Sequence, residues 1–233
     1  MAEREPTAVP VRQSRMMKRL LLPVLVVLTI VIAGCSSGGS SGSTATTGVE
    51  QLRGYQPRPV RSVGGLELND FSTVASGVPF NFVAQPGELL FVYFGYLTCP
   101  DICPTTMTDT AAGLASLDPA LAERVEVAFV TVDIERDSGA EVTEYLSHFF
   151  PSTQTHSLVA VDEHQLTGIS YKFGANWNVE SHEPGAAYGV AHSGGMYAVD
   201  DTGSIVWEWP FGTNADELVA LTESIFASTY PGG

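Results

Sequence analysis

The sequence predicts an α/β domain with a central mixed sheet flanked by helices. Three observations predict it. Residues 89–94 (Leu-Leu-Phe-Val-Tyr-Phe) and 125–132 are apolar runs of the kind found in central strands buried on both faces. Between them lies a helical stretch with Pro104 in its first turn, where a missing N–H costs nothing. Near the C-terminus, Asp200-Asp201-Thr202-Gly203 separates two short strand-like segments and reads as a hairpin turn.

The elements follow in order. Residues 51–62 carry prolines and arginines and read as irregular, so the folded domain is expected to start near Val60. Residues 66–71 and 79–83 read as short strands, with Gly64-Gly65 and Ser76-Gly77 as turns. The strand at 89–94 leads into Cys99 and a helix that continues to about Leu117 and stops at Asp118-Pro119. After the strand at 125–132, Ser138 is placed to cap a helix through Phe149, with Glu141 in its first turn and Pro151 as its stop. A short strand at 158–161 precedes a helix at 162–173, with Leu166, Ile169 and Phe173 on one face. Residues 174–189 read as a loop, long enough for a compact domain to suggest a function. Strands at 193–199 and 205–209 form the hairpin, and Asn214 caps a last helix to about Ala227. Behind the N-terminal strand extension, strand–helix–strand, helix, hairpin and helix is the order of the thioredoxin fold. The sequence has neither an internal repeat nor a Gly-rich phosphate loop.

The first 35 residues read as an export signal. Arg12, Arg15, Lys18 and Arg19 precede an apolar run at 20–32 that is short for a membrane span. Ile32-Ala33-Gly34-Cys35 resembles the lipobox of bacterial lipoproteins, which implies lipid on Cys35 and an extracytoplasmic, membrane-anchored protein. Residues 36–59 follow as a tether, Ser/Gly/Thr-rich through Thr47. From residue 36 onward 6 basic residues face 24 acidic ones. That balance argues against a nucleic-acid partner and favours solubility and attraction of cations or basic surfaces.

Cys99 and Cys103 concentrate the chemistry. The chain has 3 cysteines, and Cys35 belongs to the lipobox. Four positions apart at the start of a helix, the two thiols share a face, and the helix N-terminus is expected to lower their pKa. Such a pair binds a soft metal or closes to a disulfide. The residues alone leave both open. A lone histidine is more often surface or satisfied core than ligand, and this reading covers His148, His156 and His164; His182 reads as solvated loop. Trp207, Trp209 and Phe211 read as core and edge packing.

Three motifs resemble the Sco/SenC family of copper-binding, thioredoxin-like proteins. They are Phe94-Gly95-Tyr96 with Cys99-Pro100-Asp101-Ile102-Cys103-Pro104, then Val132-Asp133-Ile134-Glu135-Arg136-Asp137, then Tyr188-Gly189-Val190-Ala191-His192-Ser193 with Tyr197-Ala198-Val199-Asp200. They occur in family order, and the similarity spans roughly residues 60–227. Ile134 stands where the family has proline, and Ala191 where it has aspartate. The resemblance implies copper, Cu(I) or Cu(II), held by Cys99, Cys103 and His192. Asp133, at the end of a strand, is the expected supporting group around the ligands. The implied role is that of a copper chaperone rather than an enzyme. It would deliver copper to the binuclear copper site of cytochrome c oxidase. The implied partners are the oxidase subunit that accepts copper and an upstream copper donor or thiol reductant. The alternative role is a thiol–disulfide oxidoreductase cycling a Cys99–Cys103 disulfide to keep the acceptor's cysteines reduced.

Overall fold

The structure is a computed structural model and describes residues 52–232. The expected export signal, the expected lipid site at Cys35 and the expected tether up to residue 51 lie outside the described residues.

Two parallel strands form the centre. β3 (Leu89–Gly95) and β4 (Val125–Thr131) are buried along their whole lengths, as their apolar runs require. Around them β1 (Glu67–Asp70), β2 (Val78–Asn81), β5 (Thr155–Val159), β8 (Met196–Val199) and β9 (Ile205–Trp209) complete a seven-stranded sheet ordered β2-β1-β5-β4-β3-β8-β9. β3, β4 and β5 run parallel, while β1, β8 and β9 join antiparallel, so the sheet is mixed. β6 (Trp177–Val179) and β7 (Val190–His192) pair separately as a two-stranded sheet.

Helices cover both faces. α1 (Ile102–Ser116) lies on the face of Met196, to whose Sδ Thr110 Oγ1 donates at 3.3 Å. Met196 is the cross-strand partner of Tyr93, so Tyr93 shares this face. The short α2 (Pro119–Ala122) follows, with the Asp118 carboxylate accepting from the Ala120 amide. α3 (Gly139–Phe149) opens with the expected box, Ser138 and Glu141 capping each other's backbone amides. α4 (Glu163–Phe173) takes the opposite face, where Phe173 meets Phe94 and Tyr197 edge-on. α5 (Ala215–Thr229) packs on α1 so closely that a Cβ at Gly113 would sit 2.4 Å from Leu218 Cδ2.

The structure departs from expectation in several places. The strand expected at 193–199 begins only at Met196, and Pro119–Ala122, just past the expected helix stop, forms α2. The 79–83 and 158–161 segments pair earlier, as Val78–Asn81 and Thr155–Val159, because register with β1 and β4 decides their ends. The loop at 174–189 contains β6, which is paired to β7. Residues 52–62, expected to be irregular, run beside β9. Tyr55 exchanges backbone hydrogen bonds with Glu208 at 2.8 and 2.9 Å, and the Trp207 indole N–H donates to the Arg53 carbonyl at 3.0 Å.

Candidate metal centre

The end of β3 and the start of α1 position the two thiols. The chain leaves β3 at Gly95 and turns through Cys99, whose amide donates to the Tyr96 carbonyl at 3.3 Å. Asp137 pins this turn from below, its Oδ2 accepting from the Leu97 amide at 3.0 Å and the Thr131 hydroxyl at 2.6 Å. Gly95 is required by space. A Cβ there would fall 2.7 Å from Tyr93 Cε1 and 2.9 Å from Cys103 Sγ.

α1 begins at Ile102, two residues before Pro104, since proline is tolerated throughout the first turn where backbone amides lack helical partners. Cys103 is therefore helical and Cys99 lies in the preceding turn, so a shared helix face is not what joins them. The joining contact is the Cys103 amide, which donates to Cys99 Sγ at 3.4 Å. Both thiols are free. Cys103 is fully buried, and Cys99 is 9 % exposed at the outer edge. Burial pushes the Cys103 thiol well above its ordinary pKa. The helix N-terminus was expected to lower it, but desolvation of a fully enclosed sulfur is the larger effect.

His192 ends β7 and comes to the sulfurs from across the sheet. Its Nε2 lies 3.3 Å from Cys103 Sγ and 3.9 Å from Cys99 Sγ. The register of the small sheet, Trp177 opposite His192, sets its position along the strand. Tyr93 and Tyr96 hold the ring edge-on, with centroids 5.9 and 5.5 Å away. Burial lowers the imidazole pKa, outweighing the hydrogen bond to the Ser193 carbonyl that would raise it. Burial therefore favours the neutral ring; Nδ1 lies 3.1 Å from the Ser193 carbonyl, and with its proton there the Nε2 lone pair is free to face the sulfurs. The three donor atoms lie within 4.8 Å of one another, the one such cluster among the described residues. Two sulfurs and one imidazole nitrogen fit copper. Thiolates favour Cu(I), and a nitrogen donor helps to hold Cu(II).

The supporting residues differ in position from what their spacing suggests. Asp133 is 1 % exposed; its Oδ1 accepts from the Tyr188 hydroxyl at 2.7 Å and its Oδ2 from Arg136 Nε at 2.5 Å. It reaches His192 only through the chain at Tyr188. His182 is not free in solvent. It stacks on Tyr188 and its Nε2 lies 3.3 Å from Glu135 Oε2. His148 and His164 are exposed on α3 and α4, while His156 is buried in β5. Trp209 is core, Trp207 covers the edge at Arg53, and Phe211 stays 40 % exposed. Sequence reasoning assigned no role to Gly95 or Tyr188. Both lie inside the motifs, and the absence of a side chain directly after a buried strand was the available signal for Gly95.

A family model described as SCO1/SenC matches residues 69–227. The SCO2-like protein RP587 of Rickettsia prowazekii (strain Madrid E) is 30% identical over 159 residues, 68% of this chain and 74% of that protein. Among solved structures, yeast Sco1 with copper bound superposes with a TM-score of 0.62 at 27% identity, covering 73% of this chain and 92% of that one. Bradyrhizobium japonicum ScoI with copper bound gives 0.58 at 25% identity over 70% and 99%. BsSco, described as having a disulfide switch and as a member of the Sco family of cytochrome c oxidase assembly proteins, shares the fold at 17% identity, with a TM-score of 0.50 over 75% and 98%. The thioredoxin-like α/β fold is common to these solved structures.

Proposed function

The chain belongs to the SCO1/SenC family, and on that premise we propose that it is a copper chaperone which carries copper on Cys99, Cys103 and His192 and passes it to the binuclear copper site of cytochrome c oxidase. One observation carries this reading: two thiols and a neutral imidazole nitrogen converge within 4.8 Å at the rim of the domain. Dithiol exchange needs two sulfurs and no imidazole, so the third donor favours a metal over a purely redox pair. Copper-bound yeast and Bradyrhizobium relatives and the family's description as oxidase assembly proteins support the cargo and the acceptor. Delivery proceeds by ligand exchange. Cys99, the sulfur nearer solvent, is replaced first by an acceptor thiol, and buried Cys103 last.

The wild-type protein is expected to bind one copper per chain, with a sulfur-to-copper charge-transfer absorption when loaded with Cu(II). Cys99→Ala and Cys103→Ala should each lose that absorption. Stoichiometry and absorption unchanged in either variant would remove that cysteine from the site.

A second reading has its own observation. The two sulfurs lie within 4.8 Å as free thiols, close enough for a small movement to bridge them. In this reading the pair reduces the acceptor's cysteines by thiol–disulfide exchange.

The anchor belongs to the same proposal. Its support is the basic segment, the apolar run and Ile32-Ala33-Gly34-Cys35. Two acyl chains of a diacylglycerol group on Cys35 suffice for stable anchoring on the outer face of the cell membrane. Mass spectrometry of membrane-fraction protein should find an acylated N-terminal Cys35. An unprocessed terminus ahead of residue 35 would replace the lipid with a signal anchor.

A further inference from the structure

Tyr188 stands four residues before His192, and an unusual set of contacts fixes it. Its hydroxyl donates to Asp133 Oδ1 at 2.7 Å. The Arg136 guanidinium carbon lies 3.9 Å from the centroid of its ring, and the His182 ring lies 3.8 Å from it at an interplanar angle of 9°. Two groups so near one centroid must occupy opposite faces, so the phenol is sandwiched between a cation and an imidazole. The sandwich is braced on both sides. Arg136 is ion-paired to Asp133, and His182 Nε2 lies 3.3 Å from Glu135 Oε2. Three residues of the turn after β4 thus grip two residues of the segment between β6 and β7.

None of these five side chains is a copper donor, yet the grip acts on the strand that carries one. β7 is three residues long and pairs only with β6, also three residues long. A two-stranded pairing of this size is not stable by itself and does not fix a side chain to within tenths of an ångström. The other hydrogen bonds on this hairpin are Glu180 N–H to the Gly189 carbonyl at 3.0 Å and Ser193 N–H to the Asn176 carbonyl at 2.8 Å, each doubled by a side chain, with Gly189 N–H donating to Glu180 Oε2 at 3.0 Å and Asn176 N–H to Ser193 Oγ at 3.1 Å. They join the hairpin to itself and to the end of α4. The contacts of Tyr188, with the His182–Glu135 pair beside them, tie it to the turn after β4, the strand next to the one that delivers the cysteines, while Tyr93 and Tyr96 touch only the His192 ring itself.

We propose that Tyr188 is a positioning residue that latches His192 over Cys99 and Cys103, setting whether the site offers three donors or two. The proposal rests on the copper reading above. Its consequence is selective. Cu(I) is satisfied by two thiolates, whereas Cu(II) depends on the nitrogen, so loosening the latch weakens Cu(II) far more than Cu(I).

The test uses the full chain in detergent, as wild type, Tyr188→Phe and Tyr188→Leu, titrated with Cu(II) alone and with Cu(I) alone. In Tyr188→Leu, Cu(II) affinity is expected to fall about ten- to hundredfold. Nitrogen coupling in its electron paramagnetic resonance spectrum should be lost, while Cu(I) affinity and the melting temperature of the metal-free protein stay near wild type. Tyr188→Phe keeps the sandwich and loses the Asp133 bond, so it should fall between the two. Wild-type Cu(II) affinity and nitrogen coupling in Tyr188→Leu would overturn the latch. So would an equal loss of Cu(I) and Cu(II) accompanied by lower melting, which marks a merely structural role. A metal-free readout separates the two proposals. Backbone amides of residues 190–193 should exchange hydrogen faster in Tyr188→Leu than in wild type, and unchanged exchange also overturns the latch. If wild type binds no copper the chaperone reading fails, and the exchange measurement still decides whether Tyr188 holds β7.

Discussion

His192→Ala is expected to reduce Cu(II) affinity by more than about a hundredfold, beyond the usual loss from removing an outer partner of a metal ligand. The Cys99–Cys103 pair should still oxidise and be reduced in this variant. The two outcomes separate because the substitution removes one donor and leaves both sulfurs. The imidazole nitrogen at 3.3 and 3.9 Å is the sole nitrogen donor of the cluster, while thiol exchange needs two sulfurs and access to them. In cells, a protein acting chiefly as a chaperone should fail to load oxidase copper when it carries His192→Ala, even with thiols kept reduced. One acting chiefly as a reductant should succeed, with loading abolished only by Cys103→Ala. Oxidase activity and copper content at matched protein levels decide between them. Near-normal oxidase with His192→Ala would end the chaperone reading.

His156→Ala is expected to destabilise the fold by about 3–5 kcal/mol without removing a donor of the metal site. His156 lies in β5 with Nδ1 2.8 Å from Asp70 Oδ2 and Nε2 3.2 Å from Glu126 Oε2. All three residues are less than 10 % exposed, at 7, 4 and 6 %. With a carboxylate on each ring nitrogen, both nitrogens donate and the ring is an imidazolium. Burial alone would lower its pKa, but the hydrogen bonds and charges of Asp70 and Glu126 prevail and raise it to about 9. Moving the imidazole from 6.5 to about 9 corresponds to about 3 kcal/mol of folding stability. Removing the ring strands two buried carboxylates.

The sign of the pH dependence follows. The folded-state pKa of His156 lies above the unfolded one, so its contribution is complete below pH 6.5 and disappears as pH rises through about 9. Asp70 is the opposite case. Burial would raise its pKa, but the bond to His156 and the backbone amides of Ser72 and Ser157 hold it below 3.8, so its share disappears only in acid. Denaturant unfolding of the metal-free protein from about pH 5 to about pH 10 should show wild type losing stability above neutrality and His156→Ala lacking that loss. Parallel curves for the two proteins would refute the buried imidazolium.

Much of the fold is legible in the chain because strong local signals coincide with burial. The runs at 89–94 and 125–132 are apolar because β3 and β4 are enclosed on both faces. Ser138 and Asn214 announce α3 and α5 because a cap satisfies the same orphan amides in any context. β6 was not legible. Trp-Asn-Val between polar loop residues has no period of its own, and it becomes a strand only because β7 supplies a partner. His156 read as an ordinary histidine for the same reason. Its partners lie 86 and 30 residues away, on β1 and β4.

The site divides along the same line. By itself the sequence determined the donor types, two thiols beside a helix start and a histidine within a motif, because ligand chemistry is a property of each side chain wherever it sits. It also determined the acidity of the part after residue 35 and the resemblance of Ile32-Ala33-Gly34-Cys35 to a lipobox. Tertiary structure alone decided that His192 Nε2 meets both sulfurs, since 89 residues separate it from Cys103 and only sheet topology closes that gap. It decided that burial, not the helix N-terminus, governs the Cys103 thiol. And it decided that Asp133 serves Tyr188 rather than a ligand directly. Desolvation and long-range contacts depend on what the fold places around a group, and those neighbours are not written beside it in the chain.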